Sequence, residues 1–241
     1  MDEETPKRAA GEAAALLVED GMTIGLGTGT TARWFIEAVG ARVATGLQVT
    51  AVATSLASAT LAERLHIPLR ELEGRGVDLA VDGADVIDPD LRLLKGRGAA
   101  LVRERIVAAS AARFVVIADE RKVRPRLAGV VPVEVLGFGV HRTLAMLERT
   151  GAPFALRLDG TGLPIRSDNG NLIADGEFAA IADPEGLAGE IDAIPGVIGH
   201  GLFLGMASLG IVGDLTGTVR RLEPETRSWS DPHSPAQKEP T

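Results

Sequence analysis

The sequence predicts an α/β protein with a mostly parallel sheet and a second, smaller α+β domain inserted into it. Three observations carry this prediction. Strand-like and helix-like segments alternate through the first half of the 241 residues, which is typical of βαβ units. The alternation changes after residues 131–134, and an apolar strand-like segment returns at residues 209–212.

The first half supplies most elements of the parallel sheet. Ala10, Ala14 and Leu17 recur at a spacing close to 3.6 residues and predict an N-terminal helix. Four short apolar runs, each bounded by turn residues, predict strands. The predicted strands are residues 22–26, 49–53, 77–81 and 114–118. The predicted helices are residues 5–19, a segment from the turn at 27–31 to residue 39, 56–65 and 99–111.

The middle of the chain predicts the inserted α+β domain, with helices at 139–150 and 184–191 and strands at 153–158, 172–174 and 197–204. The run Asp168-Asn169-Gly170-Asn171 is a strong turn signal and favours a hairpin. The C-terminal segment is rich in Pro, Ser and charge, so it buries too little apolar surface to offset its ordering entropy. The predicted units are residues 1–130 with 205–222, the inserted domain 131–204 and a disordered tail 223–241.

The composition excludes several classes of site. The formal net charge is −8 and aromatic residues make up 3%, so we expect no nucleic-acid partner, because nucleic acids bind basic faces and stack on aromatic side chains. The chain has no cysteine, which excludes disulfides and thiolate chemistry. No apolar run approaches the roughly 20 residues of a membrane span, and residues 1–10 lack a secretory core. We therefore expect a cytoplasmic protein without a membrane partner. The histidines show no metal-ligand spacing: His66, His141, His200 and His233.

A loop rich in glycine and threonine, residues 25–31, lies where a predicted strand passes into a helix. Glycine lets the backbone approach a ligand closely, and the first helical turn offers unpaired N–H groups. The hydroxyls of Thr28, Thr30 and Thr31 add donors, so a phosphate is the expected ligand. Two alternatives stay open: a dinucleotide fingerprint, although Thr30 occupies the third glycine position, and a tight turn capped by threonine.

Two aspartates, Asp82 and Asp85, flank Gly83 and Ala84 at the end of the third predicted strand. Open α/β sheets bind ligands at the carboxyl ends of their strands. The pair could bind sugar hydroxyls, relay protons or hold Mg²⁺, whereas a single Asp-Gly would indicate only a turn. A metal is the weaker interpretation, because Lys95 is the expected neighbour and hard cations need several oxygen ligands.

The segment Lys95-Gly96-Arg97-Gly98 opens the helix that carries Glu104. Glycine N–H groups at a helix start suit an oxyanion, and a lysine adds a charge that stabilises it. Glu104 is then a candidate base. Because it lies between two arginines, the alternative is a solvated surface charge.

A cation follows the next predicted strand, in the segment that runs from Asp119 to Lys122. Lys122 would lie at the same sheet edge as Thr28 and Asp82, since the carboxyl ends of parallel strands meet there. Lys7 reaches this edge only if the first helix folds over it. Otherwise both lysines are ordinary surface residues.

In order along the chain, these segments resemble ribose-5-phosphate isomerase of the A type. The resemblance covers residues 7–214. Each motif alone is weak, whereas seven in register are highly specific. The matching segments are GLGTGTTA (25–32), DGAD (82–85), KGRGAALVRE (95–104), ADERK (118–122), VPVEV (131–135), SDNGN (167–171) and PGVIGHGLF (195–203).

The resemblance implies reversible conversion of ribose 5-phosphate to ribulose 5-phosphate through a cis-enediol, without a cofactor. It also implies a Rossmann-like domain with a ferredoxin-like lid domain, assembled as a homodimer or homotetramer. Glu104 is implied as the base that moves a proton between C2 and C1. Asp82 is implied in opening the furanose ring, and Asp85 in handling the hydroxyl protons.

Further residues follow from the same resemblance. Lys95, with the N–H groups of Gly96 and Gly98, would stabilise the enediolate oxygen. The residues implied to bind the phosphate or line the site are Lys7, Thr28, Gly29, Thr30, Thr31, Gly83, Ala84, Arg97 and Lys122. Arg97 departs from the usual glycine, so its side chain either points away from the oxyanion or adds a cation to the site. Val86 stands where an acidic residue is frequent.

Two alternatives compete with this hypothesis. One is a sugar-phosphate-sensing effector domain without catalysis, of the kind fused to helix-turn-helix repressors; no DNA-binding segment fits before residue 22 or in the tail. The other is a CoA transferase or an aminosugar-phosphate deaminase on a related sheet. A shared fold does not decide between them, because function depends on the site.

Overall fold

The computed structural model describes residues 3–224, and its largest sheet confirms the predicted α/β class. The strands of this sheet are β1 (Thr23–Leu26), β2 (Thr50–Ala53), β3 (Val77–Gly83), β6 (Ala111–Asp119), β12 (Leu209–Gly213) and β13 (Val219–Leu222). They lie in the order β13-β12-β6-β3-β1-β2. All neighbours pair in parallel except β13, which runs antiparallel to β12 at one edge.

Helices pack on both faces of this sheet. They are α1 (Glu4–Ala15), α2 (Thr30–Ala44), α3 (Leu56–Arg64) and α4 (Leu101–Ala109). Successive residues of a strand point to opposite faces, and β6 shows the result. Val115 and Ile117 join the core formed with α1, α2 and α3, whereas Phe114 and Val116 join a second core that includes Val107 of α4.

A second, four-stranded sheet is built by the middle of the chain. Its elements are β7 (Gly129–Val135), α5 (Val140–Leu147), β8 (Phe154–Leu156), β9 (Leu172–Phe178), α6 (Pro184–Asp192) and β10 (Val197–His200). The order β10-β7-β9-β8, with every pair antiparallel, is that of a ferredoxin-like β-α-β-β-α-β unit. The division into domains at residues 131 and 204 stays a prediction.

Three short strands form a third, small sheet: β4 (Val86–Ile87), β5 (Leu93–Leu94) and β11 (Leu202–Phe203). The prediction of one strand over 197–204 is therefore wrong, because the segment divides at Gly201 between two sheets. The Gly201 N–H donates to the Pro132 carbonyl at 2.8 Å, and its carbonyl accepts from the Lys95 N–H at 2.9 Å. A Cβ at this position would collide with Lys95 and Pro132, so the crossing requires glycine.

Several predicted boundaries also shift. The third strand continues beyond residue 81, so Asp82 belongs to β3 rather than to a loop. The first helix ends at Ala15 instead of residue 19, where the Arg42 guanidinium binds the carbonyls of Ala15 and Val18. Helix α4 begins at Leu101 because Ala99, with φ 58°, is left-handed.

Within residues 3–224, no helix is long and apolar enough to cross a membrane. The predicted tail 223–241 lies, beyond Pro224, outside the described residues.

Candidate active site

The site lies at the carboxyl ends of β1 and β3, which are neighbours in the sheet. Within this sheet the chain continues from β1 to β2 on one side of this pair, and from β3 to β6 on the other side. Such a switch point leaves a crevice outside an open α/β sheet. A cavity of about 680 Å³ opens there. Every candidate residue from the sequence lines this cavity except Asp82, which lies buried in its wall.

The glycine-threonine loop places the start of α2 at the cavity. Gly27 lies against the Asp82 carboxylate, and any Cβ would collide with it. Gly29 has φ 106° and forms the N-cap of α2, so the chain turns sharply into the helix. The first turn of α2, with Thr30 and Thr31, lines the cavity. The N–H groups of a first helical turn and the positive end of the helix dipole suit an anion.

Thr28 supports this loop with its polar groups. Its N–H donates to Asp82 Oδ1 at 3.0 Å. Its hydroxyl lies 2.8 Å from the hydroxyls of both Thr54 and Ser55, and Ser58 donates to the Gly27 carbonyl at 2.6 Å. This cluster of hydroxyls fixes the loop from below the cavity.

A buried group of three charged side chains lies at the cavity, and two of them, Lys95 and Glu104, line it. Lys95 Nζ lies 3.0 Å from Asp82 Oδ2 and 3.4 Å from Glu104 Oε1. It also donates to the Gly83 carbonyl at 2.6 Å. Asp82, Lys95 and Glu104 are 3%, 2% and 4% exposed, so water screens their charges little. One cation is thus shared between two carboxylates.

Burial of the group changes the protonation of Glu104. Burial and the Asp82 charge raise the pKa of Glu104 from 4.5 to about 8, against the opposing effect of Lys95. Burial lowers the pKa of Lys95, but the charges of Asp82 and Glu104 outweigh it and the net pKa is raised. Glu104 Oε2 is buried and makes no hydrogen bond within the described residues. A carboxyl group with a pKa near neutrality and a free oxygen suits proton transfer.

The alternative that Glu104 is a solvated surface charge is wrong. It lies on the buried face of α4 with Leu101 and Val107. The flanking arginines point elsewhere: Arg103 donates to Asn169 Oδ1 at 2.8 Å, and Arg105 donates to the Leu202 carbonyl at 3.1 Å.

The glycine loop before α4 presents backbone donors to the cavity. Gly96 has φ 114°, and within residues 3–224 the N–H groups of Gly96 and Gly98 donate to no other residue. The side chain of Arg97 is 72% exposed, and its Nε lies 3.4 Å from Asp85 Oδ1. Arg97 therefore extends outward over Asp85 and leaves the donors of the loop accessible.

Several cationic side chains line the cavity in addition to Lys95 and Arg97. Lys7 is held by Glu4 at 2.7 Å, and Lys122 follows β6 in a short 3₁₀ turn. Arg121 and Arg124 also line the cavity but were not predicted. Both lie within two residues of Lys122, and this proximity is the signal in the sequence that could have identified them. Glu3 and Asp119, which bind Arg121 at 2.9 and 3.0 Å, complete the lining.

Metal ligands are not grouped in this way. Among the residues described, no three or more His, Asp or Glu side chains are arranged to hold a metal ion. Asp82, the buried candidate, binds Lys95 and the N–H groups of Thr28 and Gly83 instead.

Comparison with known proteins gives one consistent family. The family model for ribose 5-phosphate isomerase A (phosphoriboisomerase A) matches residues 50–217. The ribose-5-phosphate isomerase A of Roseiflexus sp. (strain RS-1) is 50% identical over 232 residues, covering 94% of this chain and 100% of that relative.

Solved structures agree. A D-ribose-5-phosphate isomerase in complex with phospho-erythronic acid superposes with a TM-score of 0.88 at 39% identity, over 92% of this chain and 100% of that one. The ribose 5-phosphate isomerase A of Methanocaldococcus jannaschii gives a TM-score of 0.87 at 37% identity, with the same coverage.

Proposed function

The chain belongs to the ribose 5-phosphate isomerase A family, and we propose that Glu104 is the base with which it moves the substrate proton. It is an isomerase that interconverts D-ribose 5-phosphate and D-ribulose 5-phosphate. The observation that carries the proposal is the buried Asp82–Lys95–Glu104 group, in which Glu104 has a raised pKa and an unpartnered oxygen beside the cavity. None of the relatives favours the sensing-domain alternative.

The phosphate binds at the cationic end in this proposal. The first turn of α2, with Thr30 and Thr31, supplies N–H and hydroxyl donors, and Lys7 and Lys122 supply charge. A phosphate held there orients the sugar along the cavity towards Glu104, so binding energy remote from the reacting carbons lowers the entropic part of the barrier.

The proton transfers follow from the positions of the carboxylates. Ionised Glu104 takes the proton from C2, and the electrons of that bond form the enediolate with its charge on O1. Lys95 and the N–H groups of Gly96 and Gly98 stabilise this oxygen. Asp85, which lines the cavity, takes the O2 proton and delivers one to O1. Glu104 then returns its proton to C1, and C2 becomes the ketone.

Asp82 has a restricted position in this scheme. One of its oxygens accepts from two N–H groups and the other binds Lys95. It does not line the cavity, so its direct effect is to fix the ammonium group of Lys95. Its role in opening the furanose ring stays a prediction, which a comparison of Asp82→Asn on cyclic and open-chain substrate would test.

The experiment is an assay for ketopentose from ribose 5-phosphate in the presence of EDTA, with wild type and Glu104→Gln. We expect full wild-type turnover with the chelator, since we propose a reaction without a cofactor. Loss of activity that a metal restores would contradict this. Phospho-erythronic acid carries a carboxylate where the enediolate charge develops, and we propose that it binds this cavity in both proteins. If phospho-erythronic acid binds Glu104→Gln while turnover is lost, Glu104 is needed for the reaction and not for binding of the ligand.

We also propose a homodimer or homotetramer that acts in the cytoplasm. Phe138 and Leu163, near the second sheet, are 89% and 64% exposed, and exposed large apolar side chains are typical of contact surfaces. Sedimentation velocity of the full chain tests the assembly: a monomer at micromolar concentration would contradict it.

A further inference from the structure

One arginine of the second sheet holds the glycine loop of the active site. Arg157 directly follows β8, and its Nη1 donates to the carbonyls of both Gly96 and Arg97, at 3.0 and 2.9 Å. These carbonyls belong to the two peptide groups that flank Arg97. The contact therefore joins the second sheet to the loop that the proposed mechanism uses for the oxyanion.

The geometry of the peptide group converts this contact into a constraint on donors. In a planar trans peptide the C=O and the N–H point in opposite directions. Holding the Gly96 carbonyl fixes the N–H of Arg97, and holding the Arg97 carbonyl fixes the N–H of Gly98. Both N–H groups then point away from Arg157, and successive N–H groups on one side form an anion-binding concavity.

The observed partners of these donors agree with that direction. The Arg97 N–H points to Asp85 Oδ2, at 3.4 Å. Gly98 lines the cavity, and its N–H makes no hydrogen bond within the described part of the chain. Of the two N–H groups that Arg157 fixes, the one at Gly98 is therefore available to a ligand.

The guanidinium itself is held by Asp175 of β9. Arg157 Nε and Nη2 lie 2.7 and 2.5 Å from the two carboxylate oxygens of Asp175, a bidentate pair. The Arg157 side chain is 14% exposed. Its backbone is fixed too, because the Arg157 N–H donates to the Ile173 carbonyl at 2.8 Å. A cation on the carbonyl oxygens also polarises the two peptides and strengthens their N–H donors.

We propose that the Arg157–Asp175 pair is a positioning element that aims the Gly98 N–H at the developing enediolate oxygen and keeps the Arg97 N–H on Asp85. It touches no substrate; it acts through the backbone of the loop. This inference rests on the proposed role of the glycine loop as the oxyanion site.

The test uses two substitutions that keep the size of the side chains. Arg157→Lys keeps the charge but cannot hold two carbonyls and a carboxylate in one plane. Asp175→Asn leaves one acceptor oxygen instead of two at position 175, so the bidentate pair with Nε and Nη2 is lost. Arg166→Lys is the matched control, because Arg166 is exposed and donates to the carbonyl of Gly170 at 2.7 Å, away from the cavity.

We expect kcat of Arg157→Lys to fall roughly 10- to 100-fold, somewhat less than for loss of a whole oxyanion donor. The kcat of Asp175→Asn should fall roughly 3- to 10-fold by the same reasoning, and the kcat of Arg166→Lys should match that of wild type. KM should change little, because the phosphate end is intact. By calorimetry, binding of phospho-erythronic acid should weaken in step with kcat/KM, while inorganic phosphate binds as to wild type.

A merely structural role gives a different result. In that case Tm, KM and phosphate affinity would change together with kcat, and the proposal would be overturned. Unchanged kcat in both Arg157→Lys and Asp175→Asn would overturn it as well. Failure of the proposed function is distinguishable from failure of this inference. It would appear as full turnover in Glu104→Gln, independently of the kcat measured for Arg157→Lys.

Discussion

Replacing Glu104 with glutamine removes the proposed base and keeps its shape. A positioned proton-transfer group contributes about 10²–10⁴-fold to a rate, so we expect kcat to fall by that factor, about 3–5 kcal/mol of activation free energy. KM should change little, because the proposed phosphate contacts at Lys7 and Lys122 remain. In wild type, kcat/KM should rise with pH towards the raised pKa of Glu104, about 8, as the carboxyl group ionises.

The same substitution changes how stability depends on pH. The pKa of Glu104 is raised from 4.5 to about 8 in the folded protein, so below pH 4.5 both the folded and the unfolded chain hold the proton. As pH rises, the unfolded chain loses its proton first, and the folded state loses stability until the pH reaches the folded pKa. Each pH unit in that window removes up to about 1.4 kcal/mol, or at most about 3 kcal/mol between pH 5 and pH 7.5.

The assay is urea unfolding followed by circular dichroism at several pH values, for wild type, Glu104→Gln and the exposed control Glu12→Gln. We expect the free energy of unfolding of Glu104→Gln to increase relative to that of wild type as the pH rises. For Glu12→Gln the difference from wild type should stay constant with pH. The comparison of slopes is unaffected by any constant cost of the new amide. Parallel curves for Glu104→Gln would refute the raised pKa, and retained turnover would refute the base role.

Two further substitutions test the remaining parts of the site. Lys122→Ala should raise KM for ribose 5-phosphate roughly 10-fold, the worth of one charge-assisted hydrogen bond; the exposed Arg126→Ala is the control, and an unchanged KM would remove Lys122 from the phosphate site. Gly27→Ala should lower kcat about 10²-fold, because its Cβ would displace the Asp82 carboxylate and misplace the catalytic groups. Gly74→Ala, where the Cβ meets open space, should be neutral; normal turnover of Gly27→Ala would show that Asp82 tolerates displacement.

Local patterns were sufficient for the parallel sheet and for most of the site. The strands that begin at Thr23 and Thr50 lie within a residue of their predicted starts, because apolar runs bounded by glycine and polar turns determine them. The candidate residues share one cavity for a related reason: parallel strands bring their carboxyl ends, and the loops that follow, to one edge.

Contacts between distant segments were not predictable in this way. The face of α4 that carries Glu104 could not be read from its charged neighbours, since Arg103 finds its partner at Asn169, across the fold. The two strands on either side of Gly201 were predicted as one, because the contacts of Gly201 with Lys95 and Pro132, which leave no room for a Cβ, join segments that are distant in the sequence. Arg157 gave no local signal either, because its partners lie 60 and 61 residues away.

The ammonium group of Lys95 has three N–H bonds, and three acceptors surround it: the Gly83 carbonyl, Asp82 and Glu104, at 2.6, 3.0 and 3.4 Å. At rest it has no donor to spare for a substrate. In the proposed mechanism Glu104 loses its negative charge when it takes the proton from carbon, so its attraction for Lys95, at the longest of the three distances, weakens at that step. On this mechanism one N–H of Lys95 would become available when the substrate oxygen becomes an anion, so the proton transfer itself would set the timing of the electrostatic stabilisation.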